Sequence, residues 1–170
     1  MTDKTNKDLF LDLEICRKCP ECVVDCSYYY HPENNGITAR REQGTWYFIC
    51  RQCEDAPCVE ACPQDALEKT EDGRVERGNM LCIRCRTCSI ACPFGTVFWD
   101  ILEFVNSSCD LCEGRVKGDG KPVCIDTCPY DALEYGEFEE DEEEEIFEVE
   151  EGFYVHAIQW REEVGAEQKE

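Results

Sequence analysis

The chain has 170 residues, sixteen of them cysteine, and a formal charge of −22 at neutral pH. That length allows one domain or two small ones. The acidity excludes a nucleic-acid footprint and disfavours docking on an anionic membrane surface. No run approaches the roughly 18 apolar residues of a membrane span, and the opening MTDKTNKDLFLDLEIC lacks the basic-then-apolar pattern of an export signal. The expectation is a cytoplasmic protein, where thiols stay reduced and serve metals or catalysis rather than a disulfide scaffold.

In chain order, LFLDLEIC (9–16) is an apolar run that reads as a strand entering a first cysteine quartet, Cys16, Cys19, Cys22 and Cys26. An aromatic loop, YYYHPENNG, follows; its His31 reads as a loop residue. GTWYFIC (44–50) reads as a second strand, leading into Cys50, Cys53, Cys58 and Cys62. ALEKTEDGRVERGNMLC then reads as a β-hairpin turning at Asp72-Gly73. The third quartet is Cys82, Cys85, Cys88 and Cys92; the fourth is Cys109, Cys112, Cys124 and Cys128. CPQDAL and CPYDAL each read as a one-turn helix before the next strand. The C-terminal segment 137–170 holds 15 acids against 2 bases, and its glutamate run 137–151 reads as a solvated segment. The apolar FYVHAIQW after it argues for renewed order, with 152–164 docking on a partner or on this chain's own fold. No role falls to its His156.

Every quartet opens with C-x-x-C and ends with C-x-x-x-C; only the middle gap varies, at two, four, two and eleven residues. No cysteine is left over, so the pattern is an internal repeat with loops inserted at one place. The third quartet matches the C-x2-C-x2-C-x3-C-P run that holds [4Fe–4S] clusters. Three closely spaced thiolates on one loop reach three corners of a cuboidal cluster, and the fourth points away toward a neighbouring one. Pro63, Pro93 and Pro129 follow a fourth cysteine, where a short helix is expected to start; the first quartet has Ser27 there. Four-thiolate zinc sites would also consume sixteen cysteines, but zinc sites normally pair two C-x-x-C units across a spacer. For the fourth quartet alone zinc competes seriously.

Taken together, the four quartets resemble the four-cluster iron–sulfur subunits of multi-subunit oxidoreductases. That family includes the electron-transfer subunits of dimethyl sulfoxide reductase, formate dehydrogenase, formate hydrogenlyase and tungsten aldehyde oxidoreductases, enzymes of anaerobic metabolism. The resemblance covers roughly residues 9–136 and implies an α+β fold of two interleaved bacterial ferredoxin-like units, with short helices, small antiparallel sheets and long ligand loops. Residues 1–45 and 95–136 would form an outer unit, 46–94 an inner one, and 137–170 an acidic extension. It also implies crossed ligation of four [4Fe–4S] clusters. Cluster one would take Cys16, Cys19, Cys22 and Cys128; cluster two, Cys109, Cys112, Cys124 and Cys26. Cluster three would take Cys50, Cys53, Cys58 and Cys92; cluster four, Cys82, Cys85, Cys88 and Cys62.

No catalytic constellation accompanies these ligands: the chain has no GxGxxG with an acidic ribose ligand, no Walker lysine and no spare cysteine. The expected function is relay of single electrons to or from a catalytic subunit, most simply a tungsten or molybdenum enzyme of aldehyde oxidoreductase or aryl-CoA reductase type. A further donor or acceptor subunit or a ferredoxin would complete the circuit. The alternatives are a free polyferredoxin carrier, or a subunit of a formate dehydrogenase or hydrogenase complex. Arg17, Lys18, Arg51, Arg84 and Arg86 lie in or beside ligand loops, where they would offset cluster charge. The loop EGRVKGDGKPV carries Arg115, Lys117 and Lys121, a candidate contact for the catalytic subunit.

Overall fold

The computed structural model describes residues 7–19, 22–26, 36–97, 109–112, 115–116 and 118–158. All sixteen cysteines fall within these ranges; His31 and Lys117 lie outside them. The alternating sequence DLFLD forms strand β1 (Asp8–Asp12), with Leu9 and Leu11 turned into the core. Asp12 ends the strand and accepts from the Ile15 backbone N–H at 2.8 Å, so helix α1 (Leu13–Cys16) begins there. The expected strand 9–16 is therefore half strand and half helix.

β1 is an inner strand of a four-stranded sheet that also contains β4 (Leu133–Gly136), β5 (Ile146–Glu150) and β6 (Phe153–His156) in the order β4-β1-β6-β5. It runs antiparallel to β4 but parallel to β6, so this sheet is mixed rather than antiparallel throughout. The strands β5 and β6 come from the acidic C-terminal segment, joined by a turn at Glu151-Gly152. That segment is thus an ordered hairpin, and 153–156 docks on this chain's own β1. Phe153 and Val155 are wholly buried beside Leu9, Leu11 and Leu133. His156 Nδ1 lies 3.0 Å from Asp12 Oδ2, tying the end of β6 to the end of β1. On the other face Phe138 stacks on Phe10, with ring centroids 5.0 Å apart.

The second core gathers Trp46, Leu67, Val75 and Val97 under the hairpin β2 (Leu67–Lys69) and β3 (Val75–Arg77). Its turn falls at the expected Asp72-Gly73, where Gly73 takes φ +87°, a conformation that strains any residue with a Cβ. Between the two cores runs α2 (Gly36–Ile49), which occupies the stretch 44–50 expected as a strand. An unbroken apolar run such as WYFI has no periodicity to separate strand from helix. Packing decides it: Ile37 enters the first core and Trp46 the second, nine residues apart along one helix. Glu42 and Arg77 form a bidentate ion pair, with Arg77 Nε donating to Glu42 Oε1 at 2.6 Å; both side chains are almost wholly buried. Arg40 bonds Glu150 of β5 and donates to the Cys109 carbonyl at 3.0 Å. α2 is thereby stitched to both sheets.

Three short helices complete the fold: α3 (Pro57–Glu60), α4 (Thr87–Ala91) and α5 (Val123–Thr127). They lie between the third and fourth cysteines of quartets two, three and four, before CPQDAL and CPYDAL rather than within them. Those hexapeptides are turns. The physical reason is the proline, which disfavours helical backbone in the residue before it. Cys92 and Cys128 accordingly end α4 and α5 in extended conformations, with ψ 112° and 116°.

Candidate metal centres

The structure brings the sixteen cysteines together as four sets, each with three from one quartet and one from another. At site one, Cys16, Cys19, Cys22 and Cys128 line a cavity of about 370 Å³ walled by Leu11, Ile37, Leu133 and Arg41. At site three, Cys50, Cys53, Cys58 and Cys92 line one of about 440 Å³ with Trp46, Ile49 and Val75. At site four, Cys62, Cys82, Cys85 and Cys88 line one of about 360 Å³ with Leu67, Arg77, Arg84 and Arg86. The near-equal volumes suit guests of one size. At site two the Cys124 thiol feels Cys109, Cys112 and Cys26, in that order of strength.

Electrostatics shows what such sites demand. Burial pushes the Cys16 and Cys88 thiols up to about 11 and Cys124 to about 12, and neighbouring thiols push each further. Four thiolates in one apolar pocket repel one another and are held together only by a cationic guest. Among the described residues no three His, Cys, Asp or Glu side chains converge closely enough to hold a single metal ion. A zinc ion, with Zn–S near 2.3 Å, would need that convergence. Thiols spread around a cavity fit a cubane, whose corners stand apart.

The loops carry a backbone signature of the same function. Nine described non-glycine residues have positive φ, and eight of them lie in or beside the quartets. Gln52, Arg84 and Leu111 each occupy the second position between a C-x-x-C pair, with φ between 50° and 57°. Ala56 and Arg86 stand two residues before the third cysteine of their quartets, as the left-handed caps of α3 and α4. Such residues cost on the order of 1–2 kcal/mol each and persist where the surroundings impose them.

A second regularity follows each swapped cysteine. Asp65, Gly95 and Asp131, three residues after Cys62, Cys92 and Cys128, all have positive φ. The left-handed turn brings the next residue back onto the sulfur. Ala66 N–H donates to Cys62 Sγ at 3.2 Å and Ala132 N–H to Cys128 Sγ at 3.3 Å, while Thr96 Oγ1 lies 3.3 Å from Cys92 Sγ. Burial works against the Cys92 thiolate, yet the Thr96 hydroxyl and the backbone N–H groups of Phe94, Thr96 and Val97 hold the thiol below its ordinary value. Asp and Gly at this position were the available sequence signal, since both tolerate left-handed backbone.

Of the expected cations, Arg51 lines site three, and Arg84 and Arg86 line site four. Arg17 pairs instead with Glu14 at 2.9 Å on the surface. Sequence reading passed over Arg40 and Arg41, whose charges lower the Cys109 and Cys16 thiols against burial. Their signal was a basic pair in an acidic chain. Arg115 donates to Asp110 Oδ2 at 2.8 Å and Lys121 pairs with Asp126, so both expected docking cations are engaged within the chain. Gly36 opens α2 against site two, where a Cβ would stand 2.7 Å from Cys109 Cα.

Short helices, small sheets and thiol sets joined across quartets define a ferredoxin-type iron–sulfur protein of mixed α+β fold. The chain belongs to the 4Fe-4S dicluster domain family, which matches residues 44–138, and a 4Fe-4S binding domain matches residues 13–29. It is 32% identical over 155 residues to the B subunit of anaerobic dimethyl sulfoxide reductase from Escherichia coli (strain K12), covering 80% of this chain and 76% of that one. The corresponding Haemophilus influenzae subunit is 30% identical over 151 residues, covering 77% and 74%. YsaA of Escherichia coli (strain K12), described as a candidate electron transport protein, is 34% identical over 149 residues, covering 76% and 88%. The protein is thus an electron-transport, iron–sulfur protein with several [4Fe–4S] clusters. No described helix is long and apolar enough to cross a membrane.

Proposed function

We propose that this chain is the non-catalytic electron-transfer subunit of an oxidoreductase complex, with one [4Fe–4S] cluster at each of the four thiol sets. Cys16, Cys19, Cys22 and Cys128 hold the first, and Cys109, Cys112, Cys124 and Cys26 the second. Cys50, Cys53, Cys58 and Cys92 hold the third, and Cys82, Cys85, Cys88 and Cys62 the fourth. The observation that carries this reading is that four sets, each with one swapped member, exhaust all sixteen cysteines. Each cluster supplies one-electron storage; the chain's residues position, insulate and tune it. Residues 1–45 with 95–136 form the outer unit and 46–94 the inner one, the hairpin of the 137–170 segment completing the outer sheet.

The relay runs from site one through sites two and three to site four. Sites one and two share crossed cysteines from quartets one and four, as sites three and four do from quartets two and three. Between the pairs, a cavity of about 1030 Å³ is bounded by Cys109 of site two and by Trp46, which also walls site three. The catalytic partner is a tungsten or molybdenum enzyme, a reading supported by relatives that are B subunits of dimethyl sulfoxide reductase. Metal analysis of the native complex tests it: ~16 iron per chain with tungsten or molybdenum is expected. About four metal ions per chain without sulfide would defeat the cluster assignment.

A free carrier is the second reading, and one observation favours it: the C-terminal hairpin is consumed by this chain's own sheet. Gel filtration of native material separates the two. A particle of monomer mass supports the carrier; a larger stoichiometric complex supports the subunit.

A further inference from the structure

The surface around site four differs from the rest of the chain in three ways. Nine large hydrophobic side chains are exposed among the described residues, and five of them (Met80, Leu81, Ile83, Ile90 and Phe94) fall within fifteen residues wrapping this site. Met80 and Ile90 are 81% and 77% exposed. Of the sixteen cysteines only Cys85 is exposed, and it belongs to site four. From Gly78 to Val97 the sequence has two arginines, Arg84 and Arg86, and no acid, in a chain carrying 39 acids. An exposed thiol of a redox centre, ringed by apolar side chains and arginine, is costly to leave in water.

We propose that this face is the docking surface for a second redox protein, distinct from whatever meets site one, whose own face is apolar at the centre and acidic at the rim. The inference rests on site four holding a cluster at one end of the relay. Charge selects the occupant. An acidic rim meets Arg84 and Arg86 locally, while the acidic remainder of the chain lies largely beyond the ~8 Å over which charges act at physiological salt. An anionic lipid surface presents its charge over a plane and would meet the whole −22 chain. A second copy of this chain would set arginine against arginine. Apolar side chains supply the affinity and exclude water from the exposed ligand.

Photo-activatable benzoyl-phenylalanine placed at position 80 or 90 of the chain in its native host, with position 143 on the acidic turn as control, tests the inference. Positions 80 and 90 are expected to cross-link to one polypeptide that carries a flavin, haem or iron–sulfur group, and position 143 is not. In the isolated native complex, Met80→Glu with Ile90→Glu is expected to slow partner-driven reduction of the clusters roughly tenfold or more. Iron content and the low-temperature EPR spectrum should stay unchanged, since neither side chain is buried. Cross-linking to a second copy, to a polypeptide without a redox group or to nothing overturns the proposal. So does flotation of the holoprotein with phosphatidylserine vesicles through the same two residues. Loss of ~16 iron in the unsubstituted protein would instead defeat the cluster reading itself.

Discussion

Cys-Pro-x-Asp-Ala at 62–66 and 128–132 and Cys-Pro-Phe-Gly-Thr at 92–96 repeat one local solution. Proline ends a short helix, a left-handed residue turns the chain, and a donor returns to the swapped sulfur. Donors to a thiolate favour the more negative, reduced cluster and raise its potential. Thr96→Val is expected to lower the potential of the site-three cluster; a difference of about 1 kcal/mol corresponds to ~40 mV for one electron. EPR-monitored redox titration reads this, with the other clusters unchanged. Asp65→Val should cost about 1–2 kcal/mol through a β-branched residue at φ 48°. Asp65→Gly should not, and comparing the two melting temperatures isolates the backbone from the side chain. The ligands were legible from spacing alone. The turns were not, because CPQDAL and CPYDAL are equally compatible with a helical turn until the cysteine's extended backbone is seen.

Helix α2 shows at the next scale how polar side chains can carry a structural element. Its Glu42 carboxylate and the Arg77 guanidinium are buried together, so removing one strands the other. Glu42→Ala is expected to destabilise the fold by about 3–5 kcal/mol, measured as lost thermal stability with early loss of site-four iron, since Arg77 also walls that cavity. Glu150 gives a pH dependence. Burial opposes its charge, but Gln43 and Arg40 hold the carboxyl below its ordinary value. A lowered folded-state value means the contribution is present above the unfolded carboxylate range and lost as pH falls through the folded one. Melting temperature should therefore fall on acidification below that range, and Glu150→Gln should flatten the slope. Sequence placed the β2–β3 hairpin correctly because Asp-Gly dictates its turn. It missed α2 because Trp46, Tyr47, Phe48 and Ile49 favour strand intrinsically, and contacts at both ends of the helix override that preference.

Across the whole molecule the acidic segment changes role. Glutamates at 142–145 occupy a turn, and the strands beside it insert Phe153 and Val155 into the outer core. Ending the chain at residue 136 would remove β5 and β6 and expose Leu9 and Leu11 along one side. Such a truncation is expected to lose the clusters of sites one and two while keeping those of sites three and four, so iron should fall from ~16 to ~8 per chain. Full retention of iron would show that the hairpin is an accessory to the sheet. Sequence by itself determined the cofactor chemistry, the number of ligand sets and the absence of a spare thiol, because cluster ligation is encoded in short-range spacing. Tertiary structure decided the parallel pairing of β6 with β1, the helix joining the two cores and the exposed apolar ring around site four. Each of these depends on which surfaces meet across long stretches of chain, and no local pattern carries that information.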